Sequence, residues 1–89
     1  IDLNEISYRI VEFNSKDISR CVVVYNNGVL LAFYMSAYQL NDSDLRKHLK
    51  NFLISIHIPR KFIRVDNFPT TVNGKVNKDS LIQKYIDKV

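Results

Sequence analysis

The fold is decided by the stretch Arg20-Cys-Val-Val-Val-Tyr-Asn-Asn-Gly-Val-Leu-Leu-Ala-Phe-Tyr-Met35. Two apolar runs, rich in β-branched and aromatic residues, flank the Asn-Asn-Gly segment at 26–28. Asn and Gly tolerate the positive φ angles that a tight hairpin turn requires. Continuously apolar runs are typical of strands that are buried on both faces. The stretch therefore predicts a β-hairpin whose two strands are both buried on both faces.

Three helices are predicted outside the hairpin, because apolar residues recur there at three- and four-residue steps. The first follows Asp2, a capping residue with Glu5 in the capping-box position. The second follows Asn41 or Asp42 and is ended by Pro59, and the third follows Asn77. The three apolar faces are Leu3, Ile6, Ile10 and Phe13; Leu45, Leu49, Phe52, Leu53 and Ile56; and Leu81, Ile82, Tyr85, Ile86 and Val89.

A third strand is predicted at Lys61–Val65, where polar and apolar residues alternate. The resulting order is helix, hairpin, helix, strand, loop, helix. This order predicts an α+β fold, a small sandwich of about three helices on a short sheet of about three strands. The order of the strands within the sheet does not follow from the pattern.

The composition is that of one small globular domain. The chain has 89 residues, 46% of them hydrophobic and 25% charged, and no apolar run approaches the roughly 18 residues that span a membrane. A lone Cys21 allows no internal disulfide, so we expect a cytoplasmic protein in which Cys21 is a small buried apolar residue. The chain does not open with Met, which suggests a fragment of a longer chain. A net charge of +4 suits nucleotides, phosphopantetheine or nucleic acid, and equally an ordinary basic surface.

The loop Phe68-Pro-Thr-Thr-Val-Asn-Gly-Lys-Val-Asn-Lys78 is the stretch most indicative of chemistry. Gly74 permits a sharp turn, and Asn73 tolerates left-handed backbone. Lys75 is then displayed ahead of a helix, where its ammonium could reach a phosphate or a carboxylate. A solvated turn lysine is the other interpretation. The loop lacks the first Gly and the Ser/Thr of a Walker phosphate loop.

The same loop resembles the last core motif of amino-acid adenylation domains, Pro-Leu-Thr-Pro-Asn-Gly-Lys-Val-Asp-Arg. Three other segments resemble that family in the same order: the opening Ile1-Asp-Leu-Asn-Glu-Ile6, the hairpin, and Ile58–Ile63. Together they cover nearly the whole chain, so residues 1–89 resemble one C-terminal lobe of an adenylate-forming (AMP-binding) ligase. The likeness is greatest to adenylation domains of nonribosomal peptide synthetases and to D-alanine–carrier protein ligases. The loop positions that match the motif are Pro69, Thr71, Asn73, Gly74, Lys75 and Val76.

This resemblance implies an ATP-dependent ligase that forms an aminoacyl adenylate and then loads a carrier protein. It implies that Lys75 is catalytic, bridging the substrate carboxylate and the nucleotide. ATP and Mg²⁺ would be bound mainly by a large N-terminal lobe absent from this chain. The C-terminal lobe alone would therefore be inactive. Within the same resemblance, Thr71, Asn73 and Gly74 form the substrate and nucleotide loop.

The opening motif has a separate implied role. Leu3, Asn4 and Glu5 are expected to face the phosphopantetheine arm of the carrier protein during thioester formation. Asn4 stands where the family usually has Gly, a tolerable change if the position is left-handed. No metal ligands are expected in this chain.

Other functions and residues remain open at this stage. The chain could be the lobe of an acyl-CoA ligase, a basic nucleic-acid-binding module or an interaction domain. His48 is expected in solvent, and His57 in the core or at its boundary. A basic cluster could be a solvated face, a docking patch for an acidic carrier protein or the large lobe, or a nucleic-acid site. Its members are Arg46, Lys47, Lys50, Arg60, Lys61 and Arg64.

Overall fold

A three-stranded sheet lies between helices on both of its faces in the computed structural model, which describes residues 2–87, with side chains up to residue 85. The predicted α+β class is confirmed, with three α-helices, three strands and one 3₁₀ turn in the described range. The α-helices are α1 (Leu3–Phe13), α2 (Asp42–Leu49) and α3 (Lys78–Asp87). The strands are β1 (Arg20–Asn26), β2 (Val29–Met35) and β3 (Lys61–Val65), and the 3₁₀ turn is Ser55–His57.

The sheet has the order β1-β2-β3, with β2 in the centre. The predicted hairpin pairs β1 with β2 in antiparallel fashion, and β3 joins β2 in parallel. Positive φ angles occur at Asn27 and Gly28, so the turn uses the residues that predicted it. Burial along all of β1 was a wrong prediction: Tyr25 is 67% exposed, and only Val23 and Val24 are buried. As an edge strand, β1 lacks the flanking strand that β2 has on each side.

Two hydrophobic clusters lie on the two faces of the sheet. Helices α1 and α2 cover one face, and α3 with Phe68 covers the other. Successive strand residues serve opposite clusters, as Val23 and Val24 do in β1. The first cluster is Ile6, Ile10, Ile18, Val23, Leu30, Ala32, Tyr34, Leu40, Leu45, Leu49 and Phe62, and the second is Val24, Leu31, Phe33, Phe68 and Leu81.

Each helix begins at a capping side chain that the sequence identified. The Asp2 carboxylate accepts from the N–H of Asn4 at 2.9 Å. Asn41 caps α2, accepting from Asp44 N–H at 3.0 Å, and Asn77 caps α3. These bonds satisfy N–H groups that have no partner within the helix. The predicted apolar positions at Ile86 and Val89 fall outside the described side chains, as does Ile1.

The predicted end of the second helix was wrong. Helix α2 stops at Leu49, well before Pro59, and Ile56 is 75% exposed on the 3₁₀ turn. Arg46 holds the segment that follows the 3₁₀ turn. Its guanidinium donates to the carbonyl oxygens of Pro59 at 2.8 Å and Arg60 at 2.6 Å, which ties the segment entering β3 back against α2.

Candidate functional site

The loop between β3 and α3 is a short hairpin. Asn77 N–H donates to the Pro69 carbonyl oxygen at 2.7 Å, and Thr70 pairs with Val76 in an antiparallel bridge. Gly74 N–H donates to the Thr71 carbonyl oxygen at 2.9 Å, and Gly74 has a φ of +82°. A turn closed by a left-handed glycine is a common three-residue hairpin loop. Most residues other than glycine would be strained at this φ.

Both ends of this hairpin are anchored in the core. Phe68, just before it, is 9% exposed and belongs to the cluster under α3. At its other end Asn77 accepts from Ser80 N–H through its side chain and from Leu81 N–H through its carbonyl. Leu81 is 1% exposed. The loop is therefore held to the fold on both sides.

Lys75 lies on the returning arm of the hairpin with its side chain exposed. No Asp or Glu of residues 2–85 is within 4.0 Å of its ammonium. Within that range, the charge of Lys75 is thus free to interact with an anionic partner. Asn73 is also exposed but does not adopt the positive φ that it tolerates.

The opening motif lies on the first turn of α1. Asn4 is helical and has no positive φ, so its replacement of the family's usual Gly does not depend on left-handed backbone. Asp2 caps the helix at this turn, and its carboxylate bonds the N–H of Asn4 directly. Leu3 packs against the core below α1, and Glu5 forms an ion pair with Arg9 at 3.1 Å.

Part of the opening motif and part of the loop share one surface cleft of about 440 Å³. Leu3 and Asn4 line it from α1, and Gly74 and Lys75 line it from the hairpin. Thr71, Asn73 and Glu5 lie outside the lining. The remaining lining residues are Ser7, Arg20, Cys21, Val22, Val23, Val76 and Lys78, so the described lining carries three cations and no carboxylate. Sequence periodicity did not predict this cleft, because it arises where α1 packs over β1.

Cys21 lies in this cleft but is poorly suited to be a nucleophile. Burial raises the pKa of its thiol to about 12, against a smaller lowering by its hydrogen bond with Ser7. The reactive thiolate is therefore scarce at neutral pH. This agrees with the interpretation of Cys21 as an apolar packing residue.

His48 was wrongly predicted to lie in solvent. Its Nε2 is 2.9 Å from the Arg9 carbonyl oxygen, and its ring lies 5.4 Å from that of Phe13 and 5.2 Å from that of Phe52. The histidine therefore joins α2 to α1. His57 is half-buried on the 3₁₀ turn.

The basic cluster does not form one free surface. Arg46 is bonded to two carbonyl oxygens and stacks over Phe62 at 5.0 Å, and Arg64 donates to the Ser36 carbonyl oxygen at 2.7 Å. The side chains of Lys47, Lys50 and Lys61 are exposed. The two arginines are better described as structural residues.

The described part of the chain offers neither a metal site nor a membrane span. Among residues 2–85, no three His, Cys, Asp or Glu side chains converge to hold a metal ion. These residues by themselves do not fit a magnesium site. Within the same range no helix combines the length and apolar character needed to cross a bilayer.

Known proteins resemble this chain in sequence and in structure. No family model matches the chain. A plipastatin synthase protein of Bacillus subtilis is 40% identical over 73 residues, which cover 76% of this chain and 2% of that protein. Gramicidin S synthase 2 of Brevibacillus brevis is 33% identical over 86 residues, which cover 91% of this chain and 2% of that protein. The structure of a four-domain nonribosomal peptide synthetase bound to AMP and glycine superposes with a TM-score of 0.73 and 28% identity, covering 90% of this chain and 6% of that one.

This chain belongs to the adenylate-forming ligase superfamily, as a C-terminal lobe. The resemblance drawn from the four sequence segments is thereby confirmed. The chain spans about 2% of the length of the plipastatin synthase protein and of gramicidin S synthase 2.

Proposed function

We propose that this chain is the C-terminal lobe of an ATP-dependent ligase that activates an amino acid and transfers it to a carrier protein. Residues 1–89 form one lobe, which works with a large N-terminal lobe that binds ATP, Mg²⁺ and the amino acid. The observation that carries the proposal is Lys75, a cation exposed on a hairpin anchored at both ends and unpaired among the described residues. The nonribosomal peptide synthetase relatives support an amino acid as substrate.

In the first step, a carboxylate oxygen of the amino acid attacks the α-phosphorus of ATP. The bond from that phosphorus to the β-phosphate oxygen breaks, giving the aminoacyl adenylate and pyrophosphate. Lys75 bridges the carboxylate and the nucleotide, offsetting negative charge and orienting the attacking oxygen. A charge pair about 4 Å apart, at an effective dielectric of about 20, contributes about 4 kcal/mol before desolvation. A few kcal/mol of this corresponds to about two to three orders of magnitude in rate.

In the second step, the phosphopantetheine sulfur of the carrier protein attacks the carbonyl carbon of the adenylate, and AMP leaves. Leu3, Asn4 and Glu5 face the phosphopantetheine arm in this step. Leu3 and Asn4 lie on the cleft that also holds Lys75. Thr71, Asn73 and Gly74 shape the loop used in the first step. The lobe alone is expected to be inactive, because the described residues contribute a single loop lysine and no fitted magnesium site.

The test is Lys75→Ala in the full-length enzyme. Amino-acid-dependent ATP–pyrophosphate exchange is expected to fall by about two to three orders of magnitude. Thioester formation from preformed adenylate is expected to stay near the wild-type rate. Lys47→Ala, which removes an exposed lysine from α2, is the matched control. Comparable losses in both half-reactions, or normal exchange in Lys75→Ala, would overturn the assignment.

A further inference from the structure

Thr71 directs three polar groups back into its own hairpin. Its backbone N–H donates to the Lys75 carbonyl oxygen at 2.7 Å, and its carbonyl oxygen accepts from Gly74 N–H at 2.9 Å. Its side-chain Oγ1 accepts from Lys75 N–H at 3.3 Å. The side-chain oxygen therefore adds a third hydrogen bond within the hairpin to the two that the Thr71 backbone makes.

These contacts hold Lys75 by both of its backbone polar groups. Its N–H and its carbonyl oxygen each bond to Thr71, whereas its side chain remains exposed. A lysine side chain has several rotatable bonds, and fixing its backbone limits the region that the ammonium explores. Positioning of this kind lowers the ordering cost of reaching a transition state.

The side-chain contact has a specific geometric consequence. An alcohol oxygen can accept two hydrogen bonds and donate one. In Thr71 one acceptor position is used by Lys75, and the backbone bonds on either side keep the side chain next to that N–H. The Thr71 side chain thus contacts Lys75 at its backbone N–H.

We propose that Thr71 is a positioning residue for Lys75, its Oγ1 fixing the Lys75 backbone in the geometry used for adenylate formation. This inference rests on the proposed role of Lys75. It assigns Thr71 a role within the loop, where the family resemblance placed it only as part of the substrate and nucleotide loop.

The experiment compares Thr71→Val, which removes the acceptor but keeps the β-branched shape, with Thr71→Ser, which keeps the acceptor. In the full-length enzyme, Thr71→Val is expected to lower the kcat of ATP–pyrophosphate exchange by about three- to tenfold, the effect of one lost hydrogen bond. KM values for ATP and the amino acid should stay near wild type, and Thr71→Ser should restore kcat. Hydrogen–deuterium exchange at the Lys75 amide should accelerate in Thr71→Val. Thr70→Val, the same change at the exposed neighbouring position, serves as the control.

The outcomes separate this inference from the proposed function. If Lys75→Ala abolishes exchange but Thr71→Val matches wild type, the positioning role is wrong and the proposed function stands. If Thr71→Val raises a KM and leaves kcat unchanged, Thr71 contacts a substrate directly and the inference is wrong. If Thr71→Ser lowers kcat as much as Thr71→Val does, the hydroxyl group is not what positions Lys75, and the inference is wrong. Normal exchange in Lys75→Ala overturns the proposed function itself.

Discussion

Gly28 and Gly74 have nearly the same positive φ angle, +83° and +82°. A Cβ atom at either position would have no other atom within 4 Å. A lack of space therefore does not explain the glycine at either turn. The left-handed backbone explains it. Gly28 closes the β1–β2 hairpin, and Gly74 closes the hairpin that carries Lys75.

Alanine at these two glycines should separate stability from activity. Both Gly28→Ala and Gly74→Ala are expected to lower the free energy of unfolding by about 1–2 kcal/mol, because each forces an L-residue into left-handed backbone. Gly74→Ala alone should also lower ATP–pyrophosphate exchange, since it distorts the loop that presents Lys75. Urea denaturation and the exchange assay measure the two effects. Equal losses of exchange in both variants would contradict the prediction.

The features that were predicted correctly depend on residues close together in the chain. Asn-Asn-Gly at 26–28 and Asn-Gly-Lys at 73–75 both predicted turns, and both turns use a left-handed glycine. Helix starts at Asp2 and Asn77 followed from capping preferences that depend only on neighbouring residues. The third strand, Lys61–Val65, followed from simple alternation.

The errors arose where remote segments decide the outcome. Helix α2 ends at Leu49, and Arg46 bonds to the Pro59 and Arg60 carbonyls of the segment beyond it, a contact that no periodicity encodes. His48 lies between helices because α2 packs on α1, a contact between segments distant in the chain. The cleft that Leu3 and Lys75 share likewise arises from packing between segments distant in the chain. The residues of the candidate site could therefore be predicted from the sequence, but not the surface that they share.

Arg46 is expected to be a stability determinant. Replacing it with Met removes two hydrogen bonds from a charged donor and the stacking over Phe62, so the free energy of unfolding should fall by about 1.5–3 kcal/mol. Lys47→Met on the exposed side of α2 should change it by less than about 0.5 kcal/mol. Urea denaturation of both variants tests the difference. Similar small effects at the two positions would show that the Arg46 bonds contribute little.

Tyr34 is expected to stabilise the loop after β2 through its hydroxyl. The Tyr34 side chain is fully buried, and its oxygen accepts from Leu40 N–H at 2.9 Å. Tyr34→Phe leaves that N–H without its acceptor, which should cost about 1–3 kcal/mol of unfolding free energy. Tyr25→Phe, at a residue 67% exposed, is the control and should be nearly neutral. A thermal or urea unfolding series that ranks the two changes equally would refute the role of the hydroxyl.

Asp17 and Tyr38 should give the chain a pH-dependent contact. The hydrogen bond from Tyr38, followed by that from Asn14, lowers the pKa of the Asp17 carboxyl below its usual value near 4. A carboxyl whose pKa is lower in the folded state stabilises the fold above its unfolded pKa, and this contribution is lost as pH falls through the folded pKa. Tyr38→Phe should therefore lower the unfolding temperature at pH 7, and its difference from wild type should shrink towards pH 3. Tyr8→Phe, at an exposed tyrosine on α1, should show no such convergence. A Tyr38→Phe difference that stays constant from pH 7 to pH 3 would mean that the contact does not depend on the Asp17 charge.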